Sequence, residues 1–169
     1  YVRGDQASEI LVRAWERMRL QLKTAWENRV ADLALASPYE VLIMASIIEK
    51  ESGLEKDRRE ISGVFSRRLK QGMRLQTDPS VIYGLGDAFD GNLTRADLKK
   101  DGPYNTYARH GLPPTPIGAP GRTALNSAVR PGTGTALYFV ARGDGSSQFS
   151  DTLDEHLNAV RRYQLRDDQ

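Results

Sequence analysis

The chain has 169 residues, 24 Lys and Arg against 22 Asp and Glu, a formal charge of +2, two histidines and no cysteine. That length suits a single domain over residues 1–169 with one sizeable core, and the lack of cysteine excludes disulfides and thiol chemistry without fixing a compartment. Two histidines, His110 and His156, make a histidine-rich metal site a poor expectation, and a near-balanced charge with no block of five or more like charges disfavours a nucleic-acid partner. No apolar run reaches membrane-spanning length and no signal peptide is visible. The chain opens on Tyr1-Val2-Arg3-Gly4 without a methionine, so the expectation is a mature form or an excised domain.

Asp5 to about Ala36 reads as one long helix. Ile10, Leu11, Ala14, Met18, Leu22, Ala25 and Trp26 recur at threes and fours, as on a core-facing scaffold helix. Ser37-Pro38-Tyr39-Glu40 then gives a hydroxyl at an N-cap, proline at the first helical position and glutamate three residues after the cap. Gly53 supplies the stop, so a second helix is predicted from about Pro38 to about Ser52, packed beside the first.

Helical spacing separates the two glutamates at the end of this second helix. Val41, Met44, Ala45, Ile47 and Ile48 form one apolar stripe, and Glu51 falls at its edge while Glu49 points toward the polar side. A low dielectric and the negative end of the helix dipole both disfavour a carboxylate at Glu51, which raises its pKa. A carboxyl that keeps its proton near neutral pH can act as a general acid. An ordinary charged residue at a fraying helix end would show the same spacing.

Asp57-Arg58-Arg59-Glu60 is a capping-box pattern for a third helix with Ile61, Val64, Phe65 and Leu69 on its apolar face and Gly72 at its end. Arg67, Arg68 and Lys70 complement the dipole of its last turn; the arginines could grip an anionic ligand or be solvated charges. Asp78 is the expected N-cap of a short helix with Pro79 as its first residue, and Thr94-Arg95-Ala96-Asp97 starts another. From Tyr104-Asn105-Thr106-Tyr107 through His110 to Gly121 the chain is too rich in proline and glycine for regular structure. Its tyrosines, asparagine and threonines suit a sugar groove, since aromatic faces stack on pyranose rings and amides bond hydroxyls; turn geometry alone is the other use for such residues. Thr123 to Val129 reads as a short helix stopped by Arg130-Pro131-Gly132. Ala136 to Ala141 is the clearest strand, turned by Gly143-Asp144-Gly145-Ser146 into a partner near Ser147 to Ser150. Leu153, Leu157, Val160 and Gln164 follow helical spacing in a closing helix, and Arg166 to Gln169 is expected to fray. The order predicts an α+β fold in which helices dominate. There is no phosphate-binding glycine loop, zinc-ligand pair or nucleophile elbow.

The segments Ala45 to Ser52, Leu75 to Gly84, Tyr104 to Tyr107, Gly111 to Pro114 and Leu137 to Val140 occur together and in order. As a set they resemble the catalytic domain of the YceG-like (MltG) endolytic murein transglycosylases, over roughly Asp5 to Tyr163. The resemblance implies a lysozyme-like lytic transglycosylase fold with a small β-hairpin, no metal and no cofactor, acting on peptidoglycan glycan strands. It also implies an upstream membrane anchor and LysM-like region, neither within this chain, placement on the extracytoplasmic face of the inner membrane, and peptidoglycan synthases as partners. The family's catalytic glutamate maps onto Glu49-Lys50-Glu51-Ser52. Glu51 is assigned because it precedes a serine, with Glu49 as the fallback. Gln76, Thr77, Asp78, Tyr83, Tyr104, Asn105, Thr106 and Tyr107 are the implied substrate-binding residues, with Asp78 as a possible second carboxylate. A hydrolytic muramidase and a non-catalytic peptidoglycan-binding module are the competing readings.

Overall fold

A computed structural model describes residues 6–165. Seven α-helices, a short 3-10 turn and one β-hairpin follow in chain order: α1 (Ala7–Glu27), α2 (Pro38–Glu51), α3 (Glu55–Lys70), α4 (Asp78–Leu85), the 3-10 turn Gly86–Ala88, α5 (Arg95–Lys99), α6 (Arg122–Val129), β1 (Tyr138–Ala141), β2 (Ser147–Ser150) and α7 (Leu153–Tyr163). The architecture is α+β and mainly helical. The expected helix start at Asp5 and the tail from Arg166 lie outside the described residues.

Helix α2 is the axis of the core. Its N-cap Ser37 accepts from the Glu40 backbone N–H, and Glu40 accepts in turn from the Ala36 N–H, so the start is fixed as the sequence predicts. Val41, Ile43, Met44, Ala45, Ile47 and Ile48 are all buried, which is more than one stripe. The reason is that α1, α3, α4 and α6 all pack against α2. Ser46 lies inside this shell with its hydroxyl satisfied twice, donating to Ile43 O and accepting from Ile117 N. The C-terminal end differs from expectation: Ser52 takes an extended conformation and stops the helix, and Gly53 adopts no left-handed angle.

Helix α1 ends at Glu27 and does not reach Ala36. Asn28 Nδ2 and Arg29 Nη1 donate to the carbonyls of Thr24 and Trp26, which terminates the helix on side chains. Only its second half is scaffold. Met18, Leu22, Ala25 and Trp26 join the core, whereas Leu11 is 69% exposed, because the 14 residues of α2 cannot flank all 21 of α1.

Helix α3 begins at Glu55, one turn earlier than the capping-box reading, with Leu54 as its N-cap. This frees Asp57, which is buried and accepts from the Ser147 backbone N–H, tying the hairpin to the helix. Gly72, at φ +65°, ends α3 as predicted. Gly63 lies mid-helix where α3 meets the segment after α6: a Cβ there would stand 2.4 Å from the Gly132 carbonyl oxygen. The strands pair antiparallel, Phe139 opposite Phe149, and β1 begins at Tyr138, two residues later than predicted. Phe139 packs edge-on against Phe65 of α3, and α7 covers the hairpin. Between this hairpin–α7 unit and the end of α2 an open cleft remains.

Candidate active site

The cleft has a volume of about 530 Å³. One wall is built from the last residue of α2, Glu51, together with Leu75, Gln76, Asp78 and Tyr107. The facing wall comes from Tyr138 to Ala141 of β1 and Leu153, His156, Leu157 and Val160 of α7, and Arg68 of α3 also borders the space.

Glu51 is half-buried in this wall, and its carboxyl accepts a 2.5 Å hydrogen bond from the Thr77 hydroxyl. Burial is the main influence on its acidity and penalises the charged form; the Thr77 bond opposes this, and the nearby Asp78 carboxylate adds to the increase. The net effect raises the pKa of Glu51 from 4.5 to about 7. A pKa near neutral is the condition under which one group can donate a proton and later remove one.

Glu49 has a different environment. Its two oxygens accept from Arg58 Nη2 at 2.6 Å and Gly121 N at 2.8 Å, and Arg58 continues to Thr123 Oγ1 and Ser52 O. Glu49 is thus a tie between α2, α3 and α6 and is absent from the cleft lining. Ser52 is also structural, with its hydroxyl accepting from Leu54 N.

The remaining sequence candidates separate into two groups. Gln76, Asp78 and Tyr107 line the cleft with Glu51, and Thr77 is bonded to it. Asp78 is the first residue of α4 and not its N-cap, so its carboxylate is available to accept a 2.5 Å hydrogen bond from Tyr107 Oη. The Tyr107 phenol is pushed far above its ordinary value by burial and by this bond. Gln76 adopts φ +54°, the one non-glycine left-handed residue among those described, with its N–H donating to Thr106 O. Asn105 and Thr106 do not line the cleft. Asn105 is buried, donating to the carbonyls of Asp97, Leu98 and Lys100 and accepting from Tyr107 N and Ala108 N. Thr106 Oγ1 accepts from Thr77 N and shares a proton with Ser80 Oγ. These two hold the Thr77 and Tyr107 segments in place. Tyr83 and Tyr104 form an edge-to-face pair 4.9 Å apart outside this cleft, with Tyr104 Oη on Thr115.

Sequence reasoning does not find the facing wall. Leu153 and Leu157 show core periodicity, but they are 51% and 42% exposed and border the cleft; Ala159 is the buried residue of α7. The reading of Arg67 and Arg68 as solvated charges does not hold. Arg67 donates to Ala136 O and Gly132 O, and Arg68 donates to Leu137 O, Arg74 O, Leu75 O and Gln76 Oε1. Runs of adjacent basic residues carry no signal that distant carbonyls will claim them.

Fold and site together define a helical α+β domain with a half-buried carboxyl in the wall of an open cleft. The chain belongs to the YceG-like family, whose sequence model matches residues 1–162. It is 43% identical to an endolytic murein transglycosylase of Bacillus subtilis over 127 residues, 75% of this chain and 35% of that protein. It is 34% identical over 123 residues to one from Streptococcus pneumoniae, covering 69% of this chain and 22% of the other. A crystal structure of a yceG-like protein from Listeria monocytogenes superimposes with a TM-score of 0.68 at 40% identity, over 84% of this chain and 42% of that one. The chain therefore spans less than half the length of these relatives.

Proposed function

We propose that this chain is the catalytic domain of an endolytic peptidoglycan lytic transglycosylase, related in its catalytic helix to the lysozyme-like enzymes. The observation that carries the reading is the half-buried Glu51 carboxyl, bonded by Thr77 in a cleft wall at the end of the central helix, where burial raises its pKa. The printed names of the Bacillus and Streptococcus relatives support it.

In this reading Glu51 donates its proton to the glycosidic oxygen between N-acetylmuramic acid and N-acetylglucosamine. That bond breaks, and positive charge develops at C1 of the muramic sugar. The Glu51 carboxylate then takes the proton from the C6 hydroxyl, whose oxygen attacks C1. The product is a 1,6-anhydromuramic end, with no water consumed and no metal or cofactor required. A pKa near the working pH suits both proton transfers. The Thr77 hydroxyl orients the acid, and Gln76, Asp78 and Tyr107 contact the sugars. Tyr83 and Tyr104 extend the groove beyond the cleft, while Asn105 and Thr106 support it from behind. The enzyme acts on the extracytoplasmic side of the membrane, through an anchor outside this sequence, in company with peptidoglycan synthases.

A hydrolytic muramidase is the second reading, favoured by one observation: Asp78 presents a second carboxylate to the same cleft. Mass spectrometry of digested sacculi separates the two, because anhydro ends are lighter than reducing ends by one water. Anhydro ends released by the wild type and absent with Glu51→Gln support the proposal. Reducing ends, or undiminished cleavage by Glu51→Gln, contradict it.

A further inference from the structure

Arg68 is only 7% exposed, yet no carboxylate of the described residues pairs with it. Its Nε and Nη1 are spent on carbonyls and on Gln76, whereas Nη2 makes no hydrogen bond among the described residues. It is the one lysine or arginine bordering the cleft among those residues. A buried cation held only by neutral oxygens retains most of its need for an anion.

The surroundings of Arg68 define what that anion can be. Its guanidinium lies 5.0 Å from the Tyr138 ring centroid, and Tyr138 stacks on His156 at 5.3 Å. Beside this stack are the exposed side chains of Leu153 and Leu157. Asp78 and Glu51 line the same cleft, and the Tyr107 phenol, bonded to Asp78, feels the charges of both acids and of Arg68. The cleft therefore holds two acids and one cation, and an apolar surface borders the ring on which that cation rests.

We propose that Arg68 is a specificity-determining residue that binds a carboxylate carried on a short aliphatic arm of the substrate, with Leu153 and Leu157 covering the arm. Resting on the peptidoglycan reading, the matching groups are the lactyl carboxylate of muramic acid freed of its peptide and the carboxylates of the stem peptide. Arg suits this role better than Lys because its planar fork can give two nitrogens to carbonyls and keep a third for the ligand.

The test measures binding directly, by NMR titration at pH 7 of the Glu51→Gln protein with three probes. N-acetylmuramic acid carries the lactyl carboxylate, L-alanyl-D-glutamate carries the peptide carboxylates, and N-acetylglucosamine carries neither. At least one carboxylate probe is expected to bind about tenfold tighter than N-acetylglucosamine, and the probe that does so identifies the source. Arg68→Gln removes the advantage and Arg68→Lys retains part of it, with the melting temperature checked for both. Leu157→Glu leaves every Arg68 hydrogen bond in place and weakens the carboxylate probe selectively. Equal binding of all three probes, or an advantage that survives both Arg68→Gln and Leu157→Glu, overturns the proposal. A protein that binds the probe but whose wild type cuts no strand leaves this inference standing and contradicts the proposed reaction instead.

Discussion

Replacing Glu51 by glutamine is expected to stabilise the fold, and to do so only as the pH rises. The wild-type carboxyl has a folded pKa of about 7 against 4.5 unfolded. Below about pH 4.5 it is protonated in both states and has no effect on the balance. Between those values the unfolded chain gives up its proton first, so native stability falls as pH rises through about 7. The displacement is about 2.5 pH units, and at about 1.4 kcal/mol for each the loss reaches roughly 3 kcal/mol. Glutamine has no such titration and can still accept the Thr77 hydrogen bond. The other carboxylates are shared by both proteins and cancel in the difference. Urea unfolding of the two proteins from pH 5 to 8.5 measures it. The variant's advantage is expected to grow from under about 1 kcal/mol at pH 5 to about 3 kcal/mol at pH 8.5. A difference that stays flat across this range refutes the reasoning, because it means that Glu51 ionises alike in both states.

Three other predictions use different parts of the structure. The pH profile of strand cleavage is expected to fall above about pH 7 as Glu51 loses its proton; Thr77→Val moves that limb upward and Asp78→Asn moves it downward, following the sign of each influence. Glu49→Gln is expected to cost about 1–2 kcal/mol in chemical unfolding, since its tie to Arg58 is mostly shielded, while turnover per folded molecule is retained; loss of turnover without loss of stability would instead assign the acid to Glu49. Gly63→Ala would favour an isolated helix by about 1 kcal/mol, yet here it is expected to destabilise by about 1–3 kcal/mol, because the new Cβ meets the Gly132 carbonyl. An unchanged or raised melting temperature would show that this contact yields.

What could be read in the sequence was local. The start of α2 is written in Ser37-Pro38-Tyr39-Glu40, and the partial burial of Glu51 in its distance from Ile48 and Met44. Both follow from helix geometry and need no knowledge of the rest of the fold. The second wall of the cleft depends on contacts between distant segments. Arg68 is bound by Leu137, 69 residues away, and Asp57 by Ser147, 90 residues away. A leucine at helical spacing reads the same whether it enters a core or borders a cleft, so Leu153 and Leu157 pass for core residues. Asn105 and Thr106 look like sugar ligands for a related reason: the amide and hydroxyl groups that would hold a sugar are the ones that satisfy buried backbone.

The account depends on Glu51 holding its proton near neutral pH, and a carboxyl NMR titration tests this most directly. With carbon-13 in the glutamate side chains and Glu51→Gln to assign the signal, the Glu51 carboxyl is predicted to titrate with a midpoint near 7. A midpoint near 4.5, the value of a freely solvated glutamate, would contradict it.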